Sequence, residues 1–291
     1  MKARAVVGWL AVVLATGLSS FWAFWGIIEN FHEGWYSASL AENLGLMAVQ
    51  YLAPFLIFLG LTLVAIRWPY LGAGLFVATG LALGLFFFRG GFSPTVLITC
   101  PLAALGLLFA YGRPMPRRWA LRVAAALPLL TLVLSGIGPA WMVVTRDKTV
   151  ELQAQTVHGL IWAPAGPGWP EDGVSWDRAR DICDHLSPDG TRLMATEQNS
   201  WRLPTVEEAV AAMTLHRRNS GGRWDGQRAI YDRTPDKEAP LWNPQSKVIY
   251  WWTATEAAPS NAWIIVYNGS VWPRSKKTRQ GDLAFRAVRK P

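Results

Sequence analysis

Charge is distributed unevenly along this chain, and this asymmetry limits the folds that the chain can adopt. Only eight of the 28 Lys and Arg residues and three of the 20 Asp and Glu residues lie before residue 146. A surface so poor in charge does not suit a water-soluble domain. The first half is therefore predicted to lie in a membrane, and the second half has the composition of an ordinary soluble domain.

Five apolar runs in the first half are long enough to cross a bilayer, which takes about 20 residues. The first is too long for the apolar core of a signal peptide and ends in an aromatic belt, as an anchor does. We predict an N-terminal α-helical membrane bundle over residues 1–145. Its five spans are Ala5–Ile28, Leu44–Ile66, Tyr70–Phe88, Pro94–Tyr111 and Trp119–Val144.

Basic residues in the loops predict the orientation of these spans. Lys2 and Arg4 precede the first span, and four arginines flank the start of the fifth, whereas residues 29–43 contain no Lys or Arg. Positive loops stay in the cytoplasm, so five spans place the second half outside it, with Arg89 as the one exception. The expected location is a bacterial inner membrane. Because much of the net charge of +8 lies at membrane flanks, it does not indicate a nucleic-acid partner.

Few polar side chains lie within the predicted spans, which argues against a transport path. The pattern Gly80-Leu-Ala-Leu-Gly84 predicts close helix packing within the bundle. Glu29, His32 and Glu33 share one face if their helix continues, and this leaves two alternatives: a metal site or an interfacial turn. Since no second cluster completes a metal site, no metal and no cofactor is predicted.

The second half is predicted to contain a linker and lead-in strand over residues 146–158 and an α+β domain over residues 159–290. A helix is expected from Ser175 to Leu186, and residues 217–246 are expected to form an irregular surface loop. Strands are expected over residues 248–253, 262–267 and 282–289, and the Asn268-Gly269 pair predicts a hairpin turn.

One local motif has a defined chemistry. Thr205 followed by Glu208 is a capping box, in which each side chain satisfies a backbone N–H at a helix start. The residues predicted to form this structural motif are Trp201, Arg202, Leu203, Pro204, Thr205 and Glu208. The bulky Trp201 and Arg202 are expected to lie between the helix and a sheet.

Seven short motifs follow one another in an order that resembles the Lcl C-terminal domain family, named for part of a collagen-like bacterial adhesin. That family is grouped with formylglycine-generating and sulfatase-modifying enzymes, and its fold resembles a C-type lectin. The motifs are Gly159-Leu-Ile-Trp162, Ser175-Trp-x-x-Ala179 with Cys183, Trp201-Arg-Leu-Pro-Thr205, Tyr250-Trp-Trp-Thr-Ala-Thr255, Ala262-Trp263, Asn268-Gly269 and Phe285-Arg-Ala-Val-Arg289.

The resemblance implies a C-type-lectin-like fold, but the chain departs from the family at functional positions. Ala287 stands where many members have a cysteine, so Cys183 lacks its implied partner, and no disulfide with Cys100 is expected. No cysteine follows Cys183 to bind copper, and the calcium-binding motifs of sugar-binding lectins do not occur. No base and nucleophile signature involves His158, His185 or His216. We therefore expect no enzymatic activity.

Aromatic side chains with neighbouring cations near the C-terminus indicate a binding surface. Such groups suit stacking on sugars or peptides and pairing with acidic groups. The predicted ligand-binding residues are Trp251, Trp252, Glu256, Trp263, Asn268, Trp272, Arg274 and Lys276. The predicted function is a membrane-anchored, non-catalytic protein that presents this domain to a glycan, peptide or envelope protein. The alternatives are a membrane-tethered enzyme of the sulfatase-modifying type and a structural subunit of a membrane complex.

Overall fold

The computed structural model describes residues 2–88 and 92–291, and Arg89, used above for orientation, lies outside them. The chain divides into two compact units. The first, called the helical unit, comprises the residues up to Trp35 together with Leu40–Trp141. The second, called the α+β unit, comprises Tyr36–Ser39 and Met142–Pro291.

Six α-helices and two π-helical turns are described in residues 2–145. The helices are α1 (Lys2–Glu29), α2 (Leu40–Leu46), α3 (Ala53–Arg67), α4 (Pro69–Phe87), α5 (Phe92–Tyr111) and α6 (Arg117–Thr145). The π-helical turns are Asn30–Gly34 and Met47–Tyr51. A π-helical turn continues α1, and a second one extends α2.

Three of these helical stretches are long and apolar enough to cross a membrane: Lys2–Gly34, Pro69–Phe87 and Arg117–Thr145. Leu40–Tyr51 and Ala53–Arg67 are long and apolar enough only when taken together. The chain bends by 61° between them, so they would make a fourth span only as a bent pair. The bend lies beside Pro54, whose ring cannot be accommodated within a continuous helix. Within α5, the apolar stretch Val96–Tyr111 is shorter than these three. The helical membrane half is thus supported, while the count of five spans stays a prediction.

Helix α4 packs against α5 through its small residues. A methyl group added at Gly80 would lie 3.1 Å from Cβ of Leu102. The Thr99 hydroxyl donates a hydrogen bond of 3.0 Å to the Gly80 carbonyl. The prediction that the Gly80 pattern serves packing within the bundle is confirmed at this position.

The α+β unit contains two helices, α7 (Trp176–His185) and α8 (Val206–Ala211), and eleven short strands. A four-stranded sheet has the order β10-β7-β8-β9, and a three-stranded sheet has the order β1-β2-β11. Two further hairpins are β3-β4 and β5-β6. The strands are β1 (Gln155–Val157), β2 (Leu160–Trp162), β3 (Thr214–Leu215), β4 (Arg218–Asn219), β5 (Arg223–Trp224), β6 (Ala229–Ile230), β7 (Tyr250–Ala258), β8 (Asn261–Val266), β9 (Val271–Ser275), β10 (Leu283–Ala284) and β11 (Val288–Arg289).

Most predicted elements of this unit are present, with corrected bounds. The Asn268-Gly269 turn joins β8 to β9, and Gly269 adopts a φ of 87°, which suits glycine. The single strand expected over 282–289 is two strands in different sheets, because β10 pairs parallel with β7 and β11 pairs antiparallel with β2. The helix after Thr205 ends at Ala211.

The prediction of a surface loop over residues 217–246 is wrong in its second part. Asp236, Lys237 and Glu238 are three consecutive charged residues, and all three are buried. Leu241 and Trp242 follow them into the core. Polar composition suggested solvent exposure, but the two carboxylates have partners distant in sequence, such as Arg146 for Asp236.

Candidate ligand-binding surface

The four-stranded sheet decides which of the late aromatic residues reach the surface. Adjacent residues of β7 point to opposite faces of the sheet, yet Trp251 and Trp252 are only 3% and 0% exposed. The Trp252 indole donates to the Val174 carbonyl at 2.8 Å, and the Trp251 ring lies 5.3 Å from that of Trp242. Both are core residues, so the prediction that they contact a ligand is corrected and they are excluded from the candidate surface.

Trp263 on β8 is half-buried. Its ring packs edge-on against Trp224 with 5.3 Å between ring centroids. Asn268 serves the hairpin turn, since its side-chain oxygen accepts the backbone N–H of Ser270 at 3.1 Å. Both positions have structural partners that account for them, and we do not include them in the candidate surface.

Trp272 on the edge strand β9 differs from every other aromatic residue of the α+β unit. Its exposed fraction is 58%, and no other Trp, Tyr or Phe side chain in residues 142–291, all of which the structure describes, is exposed. An exposed indole on an edge strand offers a flat apolar platform of the kind that stacks on ligand rings.

Arg274 follows two residues later and therefore lies on the same face of β9. Its guanidinium carbon lies 5.8 Å from the centre of the half-buried Tyr250 ring. Its Nε is buried and has no hydrogen-bond partner among the described residues. A buried donor without a partner is costly, and a ligand acceptor can reach this Nε only if the Arg274 side chain moves.

Asp282 lies in the electrostatic field of Arg274. Partial burial raises the pKa of the Asp282 carboxyl, and the positive charges of Arg274 and Lys247 oppose that rise. This carboxyl therefore moderates the positive charge near Arg274.

Lys276, the residue after β9, makes contacts within the α+β unit. Its ammonium nitrogen lies 2.9 Å from the Glu256 carboxylate and 4.4 Å from the centre of the Trp176 ring. It also donates to the Pro259 carbonyl at 3.0 Å. Glu256 is itself exposed and tied to this lysine.

The structure thus brings together two of the predicted ligand-binding residues, Trp272 and Arg274, with Tyr250, and we call these three residues the β9 face. Lys276 and Glu256 pair with each other and are left out, on the same ground as Trp263 and Asn268. Tyr250 was absent from the predicted site residues. Its position two residues before Trp252 in the alternating strand was the available signal, but alternation alone does not reveal which face is covered.

The motif around Thr205 is structural, as predicted. The Thr205 hydroxyl accepts the backbone N–H of Glu208 at 3.3 Å, and the Glu208 carboxylate accepts the N–H of Thr205 at 2.8 Å. Arg202 forms a two-bond ion pair with Glu208 at 2.6 and 2.7 Å, and its backbone pairs with Val288. The capping-box prediction is confirmed.

Nothing in the described part of the chain assembles a metal site: no group of three His, Cys, Asp or Glu side chains in residues 2–88 and 92–291 could hold an ion. The alternative of a metal at Glu29, His32 and Glu33 therefore gains no support. These three residues lie instead at the end of α1 and in the π-helical turn that continues it.

The histidines of the α+β unit each have a structural neighbour. His158 Nε2 contacts the Asn219 amide at 2.8 Å, and His185 Nδ1 lies 2.9 Å from the Asp181 carbonyl oxygen. His216 Nδ1 lies 3.9 Å from the Glu238 carboxylate. Cys183 is a buried free thiol, and burial raises its pKa, which disfavours the reactive thiolate.

The fold and the candidate surface define a two-part protein, with apolar helices suited to membrane association and an α+β unit carrying an exposed aromatic platform. No protein-family model matches the chain, and comparison with curated proteins finds no significant match.

Proposed function

We propose that this protein is a membrane-anchored, non-catalytic binding protein. Its α+β unit, with a C-type-lectin-like fold, stands outside the cytoplasm and binds a glycan, a peptide or an envelope protein through the β9 face. The observation that carries the proposal is the exposed Trp272 ring on the same face of β9 as Arg274, a half-buried cation with no ion pair within 4.0 Å among the described residues. Aromatic and arginine side chains dominate binding hot spots.

The membrane part of the proposal rests on apolar helices and on basic loops. Three spans are supported by length and composition. We propose that Leu40–Tyr51 with Ala53–Arg67 forms a fourth span and that α5 forms a fifth. An odd number of spans places the α+β unit opposite the cytoplasmic N-terminus in a bacterial inner membrane. Four spans would place the unit in the cytoplasm.

Topology is tested by fusing reporters after residue 150 and at Met1. A periplasmically active reporter after residue 150, with a cytoplasmic signal at Met1, is the expected pair of results. Cytoplasmic signals at both positions would contradict the proposed orientation.

Binding is tested with the full-length chain in lipid nanodiscs against a glycan array and solubilised envelope proteins. We expect Trp272→Ala and Arg274→Gln each to weaken the detected binding by about tenfold or more, as hot-spot residues do. Leu193→Ala and Arg228→Gln are matched controls at exposed positions outside the β9 face. Unchanged binding by folded variants at both positions would refute this site.

Catalysis is tested on the same preparation. The proposal expects no copper-dependent oxidation of a cysteine-containing peptide. Oxidation that scales with the protein would favour an enzyme of the sulfatase-modifying type instead.

A further inference from the structure

A pocket of about 360 Å³ lies within the α+β unit, between α7, the segment before α8, and β7. Trp176, Leu203 and Ala254 give it an apolar floor. The Trp176 indole N–H is already bonded to the Thr253 carbonyl at 2.8 Å, so the floor has no free donor there. Trp176 and Leu203 are almost wholly buried, so the apolar floor is small. A volume of this size suits a small molecule.

Two of the four charged groups around the pocket already have ion-pair partners. Arg202 is held by Glu208, and hydrogen bonding to that carboxylate raises the pKa of Arg202. Glu256 is paired with Lys276 at 2.9 Å. Within each of these ion pairs the two charges neutralise each other. The part of the pocket beside Arg202 and Glu256 therefore offers a ligand little net charge.

The other two charged groups, Arg180 and Asp184, have no ion pair within 4.0 Å in the described chain. They lie four residues apart on α7 and therefore share one face of that helix. Arg180 lies over the Trp176 ring at 4.9 Å and does not pair with Asp184. Arg180 is exposed and Asp184 is half-buried.

We infer that this pocket binds a free amino acid in its zwitterionic form. The Arg180 guanidinium takes the carboxylate, Asp184 takes the ammonium group, and the amino-acid side chain lies on the floor of Trp176, Leu203 and Ala254. A simple anion would be repelled by Asp184, and a simple cation by Arg180. A zwitterion satisfies both charges at once, and the apolar floor favours an apolar side chain.

This inference is independent of the β9 face, because it rests on α7 and on the pocket floor. Trp272→Ala is therefore expected to leave amino-acid binding unchanged. The two proposals can fail separately.

Calorimetric titration of the full-length chain in detergent tests the inference with L-leucine, L-phenylalanine and glycine. We expect the two apolar amino acids to bind more tightly than glycine. L-leucinamide lacks the carboxylate and N-acetyl-L-leucine lacks the ammonium group, so each should bind at least about tenfold more weakly than L-leucine, a loss of about 1.4 kcal/mol.

Substitutions on α7 test whether Arg180 and Asp184 bind the charged groups of the amino acid. Arg180→Gln and Asp184→Asn are each expected to weaken L-leucine binding about tenfold or more. Arg178→Gln and Asp181→Asn on the same helix are matched controls, since these exposed residues pair with each other and do not line the pocket. The inference is overturned if no amino acid binds the folded protein at about 10 mM, a very weak affinity. It is also overturned if the blocked analogues bind as well as L-leucine, or if folded Arg180 and Asp184 variants bind normally.

Discussion

Arg146 and Asp236 form a buried two-bond ion pair within the α+β unit. Arg146 Nε and Nη2 donate to the two carboxylate oxygens of Asp236 at 2.9 and 2.7 Å, and both side chains are nearly inaccessible to water. The Arg146 guanidinium also lies 5.5 Å from the Tyr267 ring centre. This pair connects the first residue after α6 to a segment 90 residues later.

Removing one charge of this pair should strongly destabilise the α+β unit. Asp236→Asn leaves the Arg146 charge buried and uncompensated, which costs about 3–5 kcal/mol of unfolding free energy. Denaturant unfolding followed by tryptophan fluorescence measures the loss. The control is Asp232→Asn, whose exposed ion pair with Arg223 should contribute no more than about 1 kcal/mol. Equal effects of the two substitutions would contradict the role of burial.

Lys237 should make the free energy of unfolding of the α+β unit depend on pH. Burial, aided by the nearby Arg146 charge, lowers the pKa of Lys237 from its ordinary value of 10.5 to about 7. Between these two values the unfolded chain holds a proton that the folded chain lacks, so the free energy of unfolding contributed by this group rises as pH increases.

Substitution at Lys237 should remove this dependence. Between pH 7.5 and 9.5, on the scale of about 1.4 kcal/mol per pH unit, wild-type stability should rise relative to Lys237→Met by about 2–3 kcal/mol. Other titrating groups are common to both proteins and cancel in the difference. Lys277→Met, at an exposed position, should track the wild type. A constant difference between wild type and Lys237→Met across this range would disprove the assignment.

Arg286 should not tolerate lysine. It is almost wholly buried and lies 3.6 Å from the Trp169 ring centre. Its guanidinium donates to the Ala163 carbonyl at 2.8 Å and to the Pro240 carbonyl. A lysine ammonium cannot reproduce this planar fork.

We expect Arg286→Lys to lower the free energy of unfolding by about 2–4 kcal/mol, through lost hydrogen bonds and a poorly solvated charge. Thermal or denaturant unfolding measures this effect. Arg228→Lys, at an exposed arginine, should stay within about 0.5 kcal/mol of the wild type. A stable Arg286→Lys protein would show that the fork geometry is unimportant.

Cys183 should be unreactive while the α+β unit is folded. Burial raises the pKa of its thiol, so the thiolate that alkylating reagents attack is scarce at neutral pH. In a Cys100→Ser background, iodoacetamide labelling followed by mass spectrometry should be slow without denaturant and fast with it. Rapid labelling of the folded protein would place the thiol at an accessible position instead.

Features governed by local chemistry were predictable from the sequence. The capping box formed because Thr205 and Glu208 satisfy each other's backbone groups within one turn. The Asn268-Gly269 turn formed because glycine adopts positive φ freely. Long apolar runs gave helices, but the 61° bend beside Pro54 marks where hydropathy alone does not define a continuous span.

The candidate surface was predictable only in part. Trp272 and Arg274 were identified by composition and spacing, and the structure places both on one face of β9. Trp251 and Trp252 were included on the same grounds, yet both faces of β7 are covered at these positions. Strand alternation predicts that neighbours point in opposite directions, but it does not predict which faces are buried.

The sequence by itself determined the division of the chain into an apolar and a polar half, the helical character of the first, and the local caps and turns of the second. Only the tertiary structure decided that Trp272 is exposed on an edge strand while Trp252 is buried. It also decided that Asp236, Lys237 and Glu238 are internal. The physical reason is that burial of a charge depends on a compensating partner, as Arg146 compensates Asp236, and a partner 90 residues away leaves no local signal.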